Sequence, residues 1–255
     1  MSTPLVVKVG GRVLTDTQSL QQLMHTVQRL AALRPLVLVH GGGDQVQALL
    51  TQLGESSSKT AGQRVTPAAH IPIVAGVLAG DINSQLCCLA QTLGLRAVGL
   101  TLQAGGTAVC TVDSARGAVG IPQPGDSRLL QLLLDQDYLP IVSSLGASAD
   151  GQRLNVNADL AAAVVAQVLG ADLILLTDVP GILDANGNLI EHICAADAPQ
   201  LIADNVVRDG MVVKLEAALL AARTSRRSIA VAGWQDANAL TRLAKGEAAG
   251  TRIRN

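Results

Sequence analysis

Runs of Val, Ile and Leu alternate along the chain with stretches in which apolar residues recur at the spacing of a helix face. The first run, Leu5 to Val9, precedes a helical pattern over Asp16 to Leu33, and the second, Leu36 to Val39, precedes one after Gly43. This alternation is typical of a parallel sheet covered by helices, so the pattern predicts an α/β fold. Further buried strands are predicted at Ala97 to Leu100, Leu139 to Ser143, Ala171 to Thr177 and Ser228 to Val231.

Two segments interrupt this pattern, Ser56 to Pro67 and Thr107 to Pro124, because both are rich in Gly, Ser, Thr and Pro. They predict hairpins or lids outside the main sheet, where binding loops are common. Two tighter hairpins are predicted at the turn sequences SADGQ, Ser148 to Gln152, and DANGN, Asp184 to Asn188.

The length of 255 residues is sufficient for one α/β domain with a full core. The chain is predicted to form one compact fold with two lobes, which divide just before Ala171. The N-terminal lobe would cover residues 1–170 and the C-terminal lobe residues 171–255.

The composition argues against nucleic-acid and membrane partners. Net charge is -1, so there is no basic excess to neutralise a phosphate backbone or an anionic bilayer. Tyr138 and Trp234 are the only aromatic residues, which leaves no stacking surface for single-stranded bases. We find no signal-peptide pattern and no uninterrupted apolar run of bilayer length, and expect a cytoplasmic protein with small-molecule partners.

Cysteines and histidines indicate no metal site. The four cysteines lack a CxxC pair, so they are predicted to be reduced thiols that act as small core hydrophobes rather than disulfide or zinc ligands. The four histidines show no Ser-His-Asp or metal-ligand spacing and are predicted to be structural. Among them, His40 ends a strand where it can orient a glycine turn.

Two predicted strands end in glycine clusters, in the sequences VVKVGG and VLVHGGG. Adjacent parallel strands that end in this way place bare backbone N–H groups at one crevice, which suits an anion such as phosphate. Neither cluster is a Walker loop or a GxGxxG fingerprint, and glycines also serve tight strand-to-helix turns with no binding role. The presence of two clusters with a lysine beside one favours a phosphate site.

Only four lysines occur in the chain, and two of them lie in apolar surroundings. Lys8 lies inside the first predicted strand. Lys214 lies about one turn inside a predicted helix that begins at Asp209 and Gly210. For Lys214 taken alone, a solvated or snorkelling side chain is an equally good interpretation. In the segment LNVNADL, Asn157 or Asp159 can cap the next helix. An Asp there could also hold two lysines through charge-assisted hydrogen bonds.

The motifs KVGG, VHGGG, GQRVTP, NVNAD, LLTDVPGIL and DGMVVK follow one another in the order found in the amino acid kinase family, which the chain resembles from Pro4 to the GTRI sequence near its end. The resemblance implies an open three-layer αβα sandwich around a mainly parallel sheet. It also implies transfer of a phosphoryl group from ATP, with Mg²⁺, to the γ-carboxylate of N-acetyl-L-glutamate. That acceptor, with an ordinary pKa of about 4.3, is ionised at neutral pH and needs no general base.

Carried over residue by residue, the resemblance assigns roles to the matching positions. It implies that Lys8 and Lys214 neutralise the transferring phosphoryl group, that Asp159 organises both, and that Gly11 and Gly42 donate backbone N–H groups. The implied substrate-binding residues are Gly42, Gly43, Arg64 and Asn155. The implied ATP-binding residues are Asp178, Val179, Pro180, Gly181, Ile182, Leu183, Val206, Val207 and Arg208.

Some positions depart from the family pattern. Arg208 stands where relatives commonly have a small polar residue, and Arg12 where they often have a small or aliphatic one. The chain begins almost directly at its first strand, without the extra N-terminal helix of arginine-inhibited relatives, so the resemblance predicts an arginine-insensitive homodimer.

Two alternatives stay open: a kinase of a related carboxylate such as an α-aminoadipate derivative, and a ligand-sensing protein without turnover.

Overall fold

The computed structural model describes residues 2–60, 63–184, 186–207, 210–225, 227 and 229–254. The strands are β1 (Leu5–Val9), β2 (Leu36–His40), β3 (Lys59–Thr60), β4 (Gln63–Arg64), β5 (Arg96–Thr101), β6 (Ala108–Val112), β7 (Val119–Pro124), β8 (Tyr138–Ser143), β9 (Leu145–Ala147), β10 (Arg153–Val156), β11 (Asp172–Thr177), β12 (His192–Cys194), β13 (Ile229–Gly233) and β14 (Thr251–Arg254). The helices are α1 (Thr17–Ala31), α2 (Gly43–Gln52), α3 (Ile71–Ala75), α4 (Asn83–Thr92), α5 (Arg128–Asp135), α6 (Ala158–Leu169), α7 (Ala198–Ala203), α8 (Gly210–Ser225) and α9 (Ala237–Ala244).

The main sheet has eight strands in the order β12-β14-β13-β11-β1-β2-β8-β5. Its neighbouring strands are parallel except β13 and β14, which are antiparallel. Strand β1 lies near the centre, hydrogen-bonded to β2 on one side and β11 on the other. The predicted α/β class and mainly parallel sheet are therefore confirmed.

Apolar residues cover both faces of this sheet, which explains why its strands read as continuous apolar runs. In β1, Val6 packs on one face with residues of α6 and α8. Leu5 and Val7 pack on the other face with residues of α1, α4 and α9. Lys8 alternates with Val7 along the strand, so its side chain lies on the α6 and α8 side.

Both Gly-rich segments form hairpins outside the main sheet, as predicted. The first contains the antiparallel pair β3 and β4. The second contains β6 and β7, which join β9 and β10 in a separate four-stranded sheet. The predicted tight turn between β9 and β10 also forms, and Leu183 and Leu189, on either side of the second turn sequence, make an isolated antiparallel bridge; Ala185 of that sequence lies outside the described residues.

The structure corrects some details of the sequence interpretation. Asp16 precedes α1 as its N-cap, accepting a hydrogen bond from the Ser19 N–H at 2.7 Å, because a short carboxylate satisfies a free donor of the first turn. Ser228, the predicted start of a strand, lies outside the described residues.

The prediction that the cysteines pack in the core is wrong for Cys88 and Cys194, which are exposed, since each points away from its element's buried face; Cys110 is buried. The two-lobe boundary stays a prediction, since β11 pairs directly with β1.

One helical stretch, Ala68–Thr92, is long and apolar enough to cross a membrane by length and composition alone. Its apolar side is used inside the protein, because Val74, Leu78, Ile82 and Leu86 all belong to the buried core beside β1 and α1. A core helix passes the same test of length and composition, so this stretch is weak evidence for membrane insertion.

Candidate active site

A cavity of about 220 Å³ lies where β1 and β2 end. Seven of the predicted site residues line it: Lys8, Gly11, Gly42, Gly43, Arg64, Asn155 and Asp159. The ends of neighbouring parallel strands meet at one edge of a sheet, and this geometry brings positions from far apart in the chain to one place.

Asp159 lies between the two lysines that the sequence singled out. Its carboxylate is 2.8 Å from Lys8 Nζ and 3.4 Å from Lys214 Nζ. Burial alone would raise the pKa of Asp159, but the charges and hydrogen bonds of the two lysines outweigh burial and lower that pKa from 3.8. The carboxylate is therefore an anion that holds two ammonium groups together.

Lys214 reaches this cluster from α8, and its side chain is only 18% exposed. Burial, followed by the charge of Lys8, lowers the pKa of Lys214 from its ordinary 10.5, while Asp159 opposes the change. A solvated or snorkelling Lys214, which its position in the sequence left open, does not match this arrangement.

The start of α6 divides the capping and charge-pairing roles between two residues. Asn157 is the N-cap, since its Oδ1 accepts hydrogen bonds from the N–H groups of Asp159 at 2.9 Å and Leu160 at 3.1 Å. Because Asn157 caps the helix, the Asp159 side chain is free to pair with the lysines. The sequence could not decide between these two candidates for the cap.

Steric and conformational limits explain two of the glycines in the cavity wall. Gly11 has φ of +73°, a left-handed conformation that favours glycine. At Gly42, a Cβ atom would come within 2.8 Å of Leu78 Cδ2 and would also clash with Ile82. The chain backbone therefore lines the cavity here, with helix α2 beginning at Gly43.

Arg64 is fixed at the mouth of the cavity by three acceptors. Its guanidinium donates to Gly43 O at 2.7 Å, to Gln47 Oε1 at 2.9 Å and to Ser57 Oγ. Burial lowers the pKa of Arg64, although the nearby carboxylate of Asp44 opposes this. A cation already oriented in this way suits the binding of a carboxylate.

Lys59 was missed as a site residue by the sequence interpretation. It lies on β3, one strand of the hairpin that carries Arg64, and lines the same cavity. The rarity of lysine was the available signal, but Lys59 stands in a polar segment where a surface lysine is ordinary. Only the pairing of β3 with β4 shows that it faces the site.

Asn155 lies on β10 and also faces the cavity. Its Nδ2 donates to Thr66 Oγ1 at 3.0 Å, and Thr66 is fully buried. This contact links β10 to the segment that follows the Arg64 hairpin.

The predicted nucleotide-binding residues lie apart from this cavity. Among the described residues, none of 178–183, 206 or 207 lines it. Asp178 begins the loop after β11 and accepts a hydrogen bond from Trp234 Nε1 at 2.9 Å. Its Oδ2 lies 3.5 Å from where a Cβ of Gly11 would be, so the loop starts beside the first glycine turn.

The rest of that loop is held by buried contacts. Ile182 N–H donates to Thr251 Oγ1 at 2.8 Å. Between α7 and α8, the N–H groups of Val206 and Val207 donate to Leu201 O at 3.0 Å and 3.1 Å. Arg208, predicted beside the nucleotide, lies outside the described residues.

The described part of the chain contains no group of three or more His, Cys, Asp or Glu side chains arranged to hold a metal ion. The described cavity lining contains no histidine either. His40 is fully buried, and burial lowers its pKa to about 4. The site offers cations and backbone N–H groups, which can stabilise anions without a neutral base.

A sequence profile of the amino acid kinase family matches residues 3–233. The acetylglutamate kinases of Edwardsiella ictaluri and Serratia proteamaculans are each 48% identical to the chain over 253 residues, covering 98% of this chain and 98% of each relative. Among solved structures, the smu.665 protein of Streptococcus mutans superimposes with a TM-score of 0.83 at 26% identity, covering 98% of both chains.

A second structural match is to a longer protein. N-acetylglutamate synthase from Neisseria gonorrhoeae, complexed with coenzyme A and N-acetyl-glutamate, superimposes with a TM-score of 0.84. The match covers 99% of this chain but 59% of the synthase, and the identity is 24%. At that identity the likeness shows the fold alone.

Proposed function

The chain belongs to the amino acid kinase family, and from this premise we propose that it is an acetylglutamate kinase. It transfers the γ-phosphoryl group of ATP to the γ-carboxylate of N-acetyl-L-glutamate and forms N-acetyl-L-glutamyl 5-phosphate, the second step of arginine biosynthesis. The observation that carries the proposal is the convergence of Lys8 and Lys214 on Asp159 beside a glycine-lined cavity.

The reaction brings two anions together, and the site supplies positive charge for that step. An oxygen of the ionised γ-carboxylate attacks the γ-phosphorus while the bond from phosphorus to the departing ADP oxygen breaks. No proton needs to move, which agrees with a cavity lined by no histidine among the described residues. Lys8 and Lys214 stabilise the charge on the transferring group, and Asp159 keeps their ammonium groups in place.

In this proposal the cavity holds the amino-acid substrate and the phosphoryl group, and the rest of ATP lies outside the cavity. Backbone N–H groups of Gly11 and Gly42 donate to the phosphoryl group, and Gly42 and Gly43 border the acetylglutamate site. Arg64 binds a carboxylate of the amino acid, with Asn155 beside it. ATP lies against residues 178–183, 206 and 207.

In this proposal Mg²⁺ would be bound together with ATP and would neutralise phosphate charge. The donor set fits that arrangement, because Asp159 is occupied by two lysines and the described residues hold no acidic cluster. Phosphate oxygens and water would therefore supply most of the ligands, as is usual for Mg²⁺.

The proposed assembly is a homodimer that works in the cytoplasm. Strand β5 is an edge of the main sheet and is half-exposed, so it offers backbone groups that a second copy can cover. Sedimentation should then give twice the chain mass of 26.2 kDa, and a mass of one chain would refute the dimer.

Purified protein supplied with ATP, Mg²⁺, N-acetyl-L-glutamate and hydroxylamine should form the hydroxamate of the acyl phosphate. Omission of acetylglutamate is the control, and an N-acetyl-α-aminoadipate reaction run beside it measures the preference for chain length. ATP hydrolysis without hydroxamate formation would contradict the proposed function.

A further inference from the structure

A buried polar pair, His40 and Asn83, lies behind the second glycine turn. His40 is the last residue of β2 and is fully buried, while Asn83 is the first residue of α4 and is 4% exposed. Asn83 Nδ2 lies 3.0 Å from His40 Nε2 and 2.9 Å from Ile141 O. Burying two polar side chains where apolar ones could pack is costly unless their hydrogen bonds are made.

The contacts of Asn83 fix the proton on the imidazole. Ile141 O can only accept, so the NH₂ group of Asn83 must face it, and the same group then donates to His40 Nε2. With Nε2 as acceptor, the proton of the neutral ring is on Nδ1, which donates to Gly41 O at 3.0 Å. The ring therefore holds the carbonyl of the first residue of the glycine turn.

The helix that carries Asn83 is shaped for this contact. A π-helical turn, Gly76–Ile82, ends directly before Asn83. Wide turns of this kind are rare and are frequent at functional sites. Leu78 and Ile82 from the turn fill the space beside Gly42, so one helix supports both the histidine and the glycine.

Holding the Gly41 carbonyl also sets the direction of the next N–H group. In a trans peptide the C=O of one residue and the N–H of the next point in opposite directions. The Gly42 N–H therefore points away from the imidazole, and within the described chain it has no hydrogen-bond partner. Gly41 and Gly42 both line the cavity.

We propose that His40 and Asn83 are positioning residues, which hold the Gly41–Gly42 peptide so that the Gly42 N–H is directed at the anion bound in the cavity. The inference rests on the proposed function, because the anion is the phosphoryl group in transfer. Preorganised N–H donors of this kind act mainly on the transition state.

Two substitutions of His40 separate this role from a structural one. Asn places its amide nitrogen near the position of ring Nδ1, whereas Gln places its amide near Nε2. His40→Asn keeps a donor for Gly41 O and should retain kcat within about threefold, whereas His40→Gln should lose about 10- to 100-fold, as when a catalytic donor is misplaced. The KM for ATP should change little in both.

Both variants remove the same ring, and Asn is one methylene smaller than Gln, so loss of packing alone predicts an equal or larger loss in His40→Asn. Equal losses in kcat, or full kcat in His40→Gln, would overturn the proposal. The control is His25→Gln, since His25 is exposed on α1 and should keep wild-type kcat. Asn83→Leu provides a second variant, which removes the donor to Nε2 and should lower kcat in the same range as His40→Gln.

Two NMR readouts do not depend on turnover. In ¹⁵N-histidine-labelled protein at pH 7, His40 should be neutral with the proton on Nδ1, and an Nε2–H tautomer would refute the assignment. In ¹⁵N-glycine-labelled protein, inorganic phosphate should shift the Gly42 amide in wild type and His40→Asn but not in His40→Gln. If the wild-type protein formed no hydroxamate but these NMR signals behaved as expected, the kinase proposal would fail and the positioning role of His40 would stand. If the Gly42 amide of the wild-type protein did not respond to phosphate, the positioning role would be refuted.

Discussion

The two lysines that meet at Asp159 are held by different kinds of structure. Lys8 belongs to β1, which is hydrogen-bonded to a strand on each side, and its Nζ is 2.8 Å from the carboxylate. Lys214 belongs to α8, which packs on α6, and its Nζ is 3.4 Å from the same carboxylate. The side chain of Lys8 is 8% exposed and that of Lys214 is 18% exposed.

This difference shows which cation is fixed by the sheet and which by helix packing. Lys8 Nζ lies close against the first glycine turn, since a Cβ on Gly10 would come within 2.7 Å of it. Lys214 has more space and a longer contact, so its position depends on how α8 and α6 pack. We infer that the acceptor side of the site, which is the cavity lined by Lys8 and Arg64, is rigid, and that the proposed nucleotide side, from which Lys214 on α8 reaches Asp159, contributes the more adjustable charge.

Removing either charge should produce the largest effect. Lys8→Ala and Lys214→Ala are each expected to lower kcat by about 10²- to 10³-fold, because each charge acts mainly in the transition state. Steady-state hydroxamate formation measures this. Lys245→Ala, a lysine exposed at the end of α9, is the matched control, and wild-type kcat in either site variant would exclude that lysine from the mechanism.

The position of Lys8 at the end of a buried strand could be predicted from the sequence. A lysine inside an apolar run is rare in a chain with four lysines, and the following glycines mark the strand end. The bounds of β1 follow from the run itself, because a strand buried on both faces tolerates few polar residues. Lys214 stood out by its rarity, its apolar surroundings and the family resemblance, whereas its position alone left a solvated lysine equally possible, since its contact with Asp159 depends on packing between two helices.

Other parts of the site depend on contacts that a local pattern does not contain. Asn83 looks like an ordinary helix residue in the sequence, and its burial against His40 results from a π-helical turn and a strand 43 positions away. Lys59 faces the cavity only because a two-residue strand pairs with the one that carries Arg64. Such tertiary pairings have no periodic signature in the chain.

The second prediction concerns Arg64, which lies on the acceptor side. Arg64→Ala should raise the KM for acetylglutamate by about 10- to 100-fold, as expected for the loss of a charge-assisted hydrogen bond of roughly 1.5–3 kcal/mol. The KM for ATP should stay nearly unchanged, because the predicted nucleotide residues lie apart from this cavity. Initial rates with each substrate varied in turn measure both constants.

Arg128→Ala is a suitable control for that measurement, because Arg128 is an exposed arginine on α5. An equal rise in both KM values would disprove the assignment of Arg64 to the amino-acid substrate. It would also remove the separation between a rigid acceptor side and a distinct nucleotide side.

The third prediction exchanges each lysine for arginine, which keeps the charge but needs more room. Lys8→Arg should be nearly as inactive as Lys8→Ala, because the Lys8 side chain is 8% exposed and its Nζ already lies 2.8 Å from Asp159, so a larger guanidinium would shift the charge from its place. Lys214→Arg should retain about tenfold more kcat than Lys214→Ala, since charge is worth several kcal/mol at such a site and α8 leaves more space. Equal tolerance at the two positions would refute the proposed difference in rigidity.

The smallest expected effect is a shift in pH dependence. Burial and the charge of Lys8 lower the pKa of Lys214, and its cationic form is the active one. The kcat should therefore be highest at pH values below the lowered pKa and should fall as the pH rises through it. The alkaline limb of the kcat profile then lies below pH 10.5. Asp159 contributes no acid limb near neutrality, because its pKa is lowered and it stays ionised there.

Two variants identify the group responsible for that limb. Asp159 raises the pKa of Lys214, so Asp159→Asn should move the limb to lower pH, in addition to lowering kcat. Lys214→Arg should remove the limb, since a guanidinium stays protonated throughout the accessible range. If the limb stayed in place in Lys214→Arg, another group would control it, and the adjustable charge on the nucleotide side would not be Lys214.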